Sequence, residues 1–227
     1  MADFELAYQK TAINEGGYAN NPKDKGGETA FGWARNFWPA LRVWPIIDSY
    51  KKRFTKQPCY GTESYSRWVK EFNKALRSDA PLMTYIKSAY KTEFWDKNRL
   101  GEIESQEVAE WIYDHAVNAG GRGVKWIQLA ARVTPDGSMG PNTITAINAM
   151  QPLELMKRAA DIAGAYRMDK AHDDPSQISF LIGWLKRDGQ PESILEHVRQ
   201  LSRDGKLDDM EVALIKAEME VTGGSDV

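Results

Sequence analysis

Cysteine is nearly absent from this chain: Cys59 is the only one among 227 residues. An internal disulfide is therefore impossible, and the fold must hold without oxidation. No nucleophile motif surrounds Cys59, which reads as a loop residue. Histidine is scarce as well. His115, His172 and His197 stand at no ligand spacing, which argues against a zinc hydrolase and leaves no metal or other cofactor expected. The net charge of −2 lacks the basic surplus that phosphate neutralisation needs, so no nucleic-acid partner is expected. No stretch approaches about 18 consecutive apolar residues, so no stable membrane insertion is expected. The opening MADFELAYQK has neither the basic nor the apolar region of a secretory signal. The expectation is a protein made in the cytoplasm. Strict apolar–polar alternation is rare, so strands should be few.

What is present is ordinary globular composition, 42% hydrophobic and 27% charged. Apolar residues recur mostly at helical spacing, which predicts a mainly α fold with a small loop or hairpin. Helices are expected over 3–14, 63–77, 81–95, 152–171 and, in two pieces, 105–132. Trp33, Trp38 and Trp44 sit among Pro39 and Pro45, which should break any long helix. These aromatics suit either a sugar-binding surface or the core, and the core is the commoner fate. The basic run at 51–56 reads as a solvated face.

The chemistry concentrates in residues 13–32, INEGGYANNPKDKGGETAFG. Glycoside hydrolysis needs one carboxyl that stays protonated and one that stays ionised. Glu15 continues the row Phe4, Tyr8, Thr11 and should leave its helix from the buried side, where desolvation raises a carboxyl pKa. Asp24 sits in a polar loop and should stay ionised. Thr29 offers a hydroxyl to hold a water. Glu28 is a rival for the second carboxylate. Gly16-Gly17 also suits a plain helix C-cap, and Asp24-Lys25-Gly26-Gly27 a plain tight turn.

Glu15-Gly16-Gly17-Tyr18, Asn21-Pro22, Asp24, Gly26-Gly27, Thr29 and Gly32 resemble the EGGY signature of glycoside hydrolase family 108, predicted lysozymes (N-acetylmuramidases) of phages and bacteria. The Glu, Asp, Thr order, with gaps of nine and five residues, is also similar to the triad of phage-type lysozymes. Trp33 departs from the Ile usual there. The resemblance implies a lysozyme-like helical fold and catalytic Glu15, Asp24 and Thr29. It also implies peptidoglycan as the partner and Tyr18, Trp95, Asp114 and Asn118 as substrate contacts. Asp114, Val117, Asn118 and Gly120 match the family's D-x-x-V-N-x-G, and Tyr90, Phe94 and Trp95 its Y-x-x-x-F/Y-W. With the missing signal, the resemblance implies an endolysin whose exit depends on a holin pore; the alternatives are a non-catalytic peptidoglycan-binding or secretion-associated module and a lytic transglycosylase.

Asp136-Gly137-Ser138-Met139-Gly140 resembles the turn of helical peptidoglycan-binding modules. Phe180, Gly183, Trp184 and Arg187 resemble the family's closing segment, where Arg187 is a candidate to pair with a buried carboxylate. The implied division is a catalytic region over 1–95, with 33–77 partly an insertion, and a peptidoglycan-binding region over 96–187. A helical tail spans 188–227. No Pro/Ser/Gly linker separates the first two, so they are expected to pack together and complete one cleft, in a monomer. In the tail, Ser202–Glu211 echoes part of a calcium loop, but Gln200 stands where an aspartate is needed. Asp208 with Glu211 reads better as a helix capping box. TGGSDV, at the end, should fray.

Overall fold

The computed structural model describes residues 1–12, 16–22 and 26–222. Among them are eleven α-helices and one three-stranded antiparallel sheet, so the fold is mainly α with a small hairpin element, as the periodicity implies. None of these helices is long and apolar enough to cross a membrane. Glu15, Asp24 and the final Gly223–Val227 lie outside the described residues. The chain divides into two compact units, one of Tyr8–Glu93 and one of Met1–Ala7 with Phe94–Val227.

The first helix, α1 (Phe4–Ala12), buries Phe4, Ala7 and Thr11 at helical spacing. The strands β1 (Tyr18–Asn20), β2 (Glu28–Ala30) and β3 (Trp33–Ala34) follow in spatial order β1-β2-β3. Then come α2 (Val43–Arg53), α3 (Glu63–Arg77) and α4 (Ala80–Tyr90). Pro45 does not break α2. It stands in the first turn, where no intrahelical partner is lost with its missing N–H. The helix α3 starts where the Thr62 side chain accepts from the Tyr65 amide, at 3.1 Å. It buries Tyr65, Trp68, Phe72 and Leu76. Asp79 caps α4 in the same way through the Leu82 amide, at 2.9 Å. The sequence reads as α-helix to residue 95, yet Lys91–Asp96 is π-helical. The apolar spacing records the change: Leu82, Ile86 and Tyr90 step by four, and Trp95 follows by five. Trp33 and Trp44 are core residues.

The larger unit contains α5 (Gln106–Ala119), α6 (Gly121–Ala130), α7 (Pro141–Asn148), α8 (Pro152–Asp173), α9 (Ile178–Asp188), α10 (Glu192–Leu201) and α11 (Asp209–Thr222). Its centre is α8, which packs on α5, α6, α9 and α11. Small buried residues on α8, among them Ala159, Ala163 and Gly164, permit that close approach. At the α5–α6 crossing, a Cβ on Gly123 would lie 2.3 Å from the His115 carbonyl oxygen, so only glycine fits.

Asp188 is wholly buried and is matched from two sides. His115 Nε2 lies 3.0 Å from its Oδ1, and Arg167 Nε lies 3.4 Å from its Oδ2. The Trp111 indole donates to the Asp188 carbonyl at 3.2 Å and stacks on His115 at 3.6 Å between centroids. The turn at 136–140 is stitched by Gln128, whose amide donates to Asp136 Oδ1 and accepts from the Gly137 amide. Asp208 and Glu211 form the reciprocal capping box at the start of α11, each side chain accepting from the other's amide at 2.8 Å.

Candidate active site

The Tyr8–Glu93 unit presents the sheet. Tyr18 pairs with Ala30, Ala19 with Thr29 and Asn20 with Glu28 across β1 and β2, and Ala30 pairs with Trp33 across β2 and β3. Alternation therefore puts Tyr18, Asn20, Glu28, Ala30 and Trp33 on one face, and Ala19, Thr29 and Ala34 on the other. The first face is packed. Tyr18 meets Phe72 and Trp68 edge-on, and Trp33 meets Tyr90. The face carrying Thr29 is more open, with Ala19 exposed and Thr29 and Ala34 half-buried.

The β2–β3 turn is two residues long, Phe31-Gly32, both with positive φ (50° and 80°). That geometry matches the twist of a tight hairpin, but a phenylalanine adopts it only under constraint. The constraint is visible: Tyr90 donates its hydroxyl to the Phe31 carbonyl at 2.8 Å, and the Phe31 ring is buried.

Asn73 of α3 fixes the start of β1. Its Oδ1 accepts from the Tyr18 amide at 2.5 Å and its Nδ2 donates to the Tyr18 carbonyl at 3.2 Å. This amide stands in for a neighbouring strand on that edge. It also explains Gly17, whose added Cβ would lie 2.3 Å from Asn73 Oδ1. Sequence reasoning did not find Asn73, since a lone asparagine inside an amphipathic helix gives no signal of a partner 55 residues away.

Glu28 is a heavily engaged carboxylate of the unit. Tyr18 donates its hydroxyl to Glu28 at 2.6 Å, Arg35 Nε lies 2.8 Å away, and the Lys51 ammonium is in direct contact. Arg35 continues to Asp48, with contacts of 2.7 and 3.2 Å. Lys51 therefore departs from the solvated face expected of 51–56: it is half-buried, and desolvation pushes its pKa down. Burial likewise raises the Tyr18 phenol. Tyr18 and Trp95, both expected to touch substrate, are covered by protein, at 2% and 4% exposure. Trp95 packs edge-on against Phe4 and Tyr113.

In the larger unit, Asp114 and Asn118 come together with the closing segment. Asn118 donates to the Asp114 carbonyl at 2.7 Å, and Arg187 Nε lies 3.8 Å from Asp114 Oδ2. The carboxylate that Arg187 meets is thus the half-buried Asp114, while the fully buried Asp188 is met by Arg167. Asn118, Arg167, Phe180, Gly183, Trp184 and Arg187 line a cavity of about 370 Å³. A second cavity of the same unit, about 420 Å³, is lined by Trp111, α8 and residues 188–193.

The mainly helical fold with its small three-stranded antiparallel sheet is lysozyme-like. Residues 8–120 match the glycosyl hydrolase 108 family, and residues 122–189 match the predicted peptidoglycan domain family. The chain carries a glycosyl hydrolase 108 domain, which makes it a glycoside hydrolase, followed by a predicted peptidoglycan-binding domain. Among solved structures it is similar to SagA of Brucella abortus, 22% identical over 91% of this chain and 97% of that one, with a TM-score of 0.53. At that identity the likeness bears on the fold alone. No curated protein matches the chain.

Proposed function

We propose that this glycoside hydrolase is an N-acetylmuramidase. It would cut the β-1,4 bond between N-acetylmuramic acid and N-acetylglucosamine, with Glu15 as general acid. Asp24 is assigned as the base that orients water, or as the charge that stabilises the oxocarbenium-like transition state. Thr29 holds the water through its hydroxyl. The observation that carries this reading is the division of labour on the hairpin. The Glu28 carboxylate faces the packed side and is engaged by Tyr18, Arg35 and Lys51, whereas Thr29 lies on the open side. This supports Asp24, which lies between the same two strands in the sequence, as the second carboxylate. Tyr18 is then a positioning residue that ties β1 to Glu28.

The test is turbidity loss of chloroform-permeabilised Gram-negative cells, with mass spectrometry of the fragments. Wild type should lyse them and leave reducing N-acetylmuramic acid ends. Glu15→Gln and Asp24→Asn should lose at least about 100-fold in rate with unchanged stability. Glu28→Gln should instead lower stability and leave the pH–rate profile in place. Anhydro ends would move the assignment to a lytic transglycosylase, and unchanged activity in Glu15→Gln would remove Glu15 from the mechanism. The endolysin role is part of the same proposal, and the family resemblance supports it. It predicts that expression inside a Gram-negative cell lyses the culture only when a pore-forming protein is co-expressed.

A further inference from the structure

We propose that the 370 Å³ cavity of the helical unit binds a free carboxylate of the peptidoglycan stem peptide, with Arg187 as the anchor. The inference rests on peptidoglycan being the substrate.

Three features point to this ligand. The first is an unmet donor. Arg187 Nη1 is buried and has no hydrogen-bond partner among the described residues, while Nε of the same guanidinium lies 3.8 Å from Asp114. A guanidinium presents its donors in a planar fork that fits a carboxylate, and a donor left without a partner is costly. The second is an aromatic wall. Phe180, 56% exposed, stacks on Trp184 with centroids 5.8 Å apart and planes at 27°. The buried Arg167 guanidinium sits 5.1 Å from the Trp184 ring and 4.9 Å from Trp126, which holds that wall in place. Arg167 is itself matched by Asp188, so the lining cation with an unmet donor is Arg187.

The third is a missing side chain. Gly183 lies inside α9, where glycine is disfavoured by about 1 kcal/mol against alanine. A Cβ there would meet nothing within 4 Å. Packing does not demand the glycine; what its absent side chain provides is open room beside the rings. A cavity of this size holds a fragment of one or two residues, not a run of sugars. Stem peptides offer carboxylates on short aliphatic arms, which suits one fork and one apolar wall.

The experiment uses the full chain carrying Glu15→Gln, so that binding is read without turnover. Isothermal titration would compare N-acetylmuramyl-L-alanyl-D-glutamate with the same compound carrying both carboxyl groups as carboxamides. Free N-acetylmuramic acid and chitotriose complete the series. The acid should bind at least about tenfold tighter than the diamide, a difference of about 1.4 kcal/mol. Arg187→Gln should erase that preference. Gly183→Leu, which adds a better helix former in open space, should fill the cavity and weaken binding about tenfold with its circular dichroism unchanged. Equal affinity for acid and diamide would overturn the proposal, as would Gly183→Leu binding like its parent. Free N-acetylmuramic acid binding as tightly as the dipeptide compound would place the carboxylate on the lactyl group and overturn the peptide assignment. Lysis by the unsubstituted protein is scored separately. Lysis without acid–amide discrimination defeats this inference alone, and discrimination without lysis defeats the muramidase reading alone.

Discussion

Replacing Gly17 with alanine adds one methyl group and should undo the anchoring of β1. The backbone at Gly17 is outside the positive-φ region, so alanine is not strained by conformation. The obstacle is space: the new Cβ would lie 2.3 Å from Asn73 Oδ1 and 2.4 Å from its Cγ. The amide must move, and with it go the hydrogen bonds at 2.5 and 3.2 Å to the Tyr18 main chain. Each is worth about 1–1.5 kcal/mol in a partly buried setting, so the loss is roughly 2–3 kcal/mol. Asn73→Ala should cost about the same, because it removes the same two bonds. In the Asn73→Ala background the space is already clear. Gly17→Ala should then be nearly neutral, or stabilising by up to about 1 kcal/mol through the unfolded chain. The double-mutant cycle should therefore give a coupling energy of about 2 kcal/mol or more. Urea unfolding at 25 °C followed by tryptophan fluorescence measures it, with a common slope as the check on two-state behaviour. Additive costs would refute the reasoning, since they would mean that Asn73 is not what excludes the methyl.

Two further outcomes are expected. Asp188→Ala should destabilise the helical unit by about 3–5 kcal/mol, because it leaves the Arg167 charge buried without its partner; calorimetry would show this as a lowered transition. Asp79→Ala should cost about 1 kcal/mol near neutral pH through loss of the α4 cap. The Leu82 amide, then the Tyr50 hydroxyl, hold the Asp79 carboxyl below its ordinary value of 3.8. A depressed folded pKa contributes stability that is present above that ordinary value and is lost as pH falls through the folded one. The gap between wild type and Asp79→Ala should therefore close on acidification below about pH 4, and a constant gap would count against the carboxylate cap.

Much of the helical framework was legible because each piece announces itself locally. Tyr65, Trp68, Phe72 and Leu76 at helical spacing mark α3, and Asp208 with Glu211 marks the start of α11. Long-range polar pairings left no such trace. Asn73 with Tyr18, Lys51 with Glu28 and His115 with Asp188 join residues on different elements, and nothing in either member's neighbourhood names the other. Gly17 shows the limit well. Its place in a Gly-Gly pair suggested a helix terminus, whereas its reason is an amide from another helix. The proposed Glu15 and Asp24 chemistry was carried by the motif. By contrast, the meeting of Asp114 and Asn118 with Arg187 needed the fold.

The region matched as a peptidoglycan domain stops at residue 189, yet the hydrophobic cluster beneath α8 and α9 does not. Met168, Ala171, Leu181 and Leu185 on those helices share it with Ile194, Leu195 and Val198 of α10, and with Leu207, Val212, Ile215 and Met219 beyond. A fragment cut at the family boundary would lose the larger part of that cluster and expose the rest, a surface prone to aggregation. Anyone grafting this predicted peptidoglycan-binding part onto another enzyme should move α10 and α11 with it. The transferable module is larger than the stretch that sequence similarity outlines.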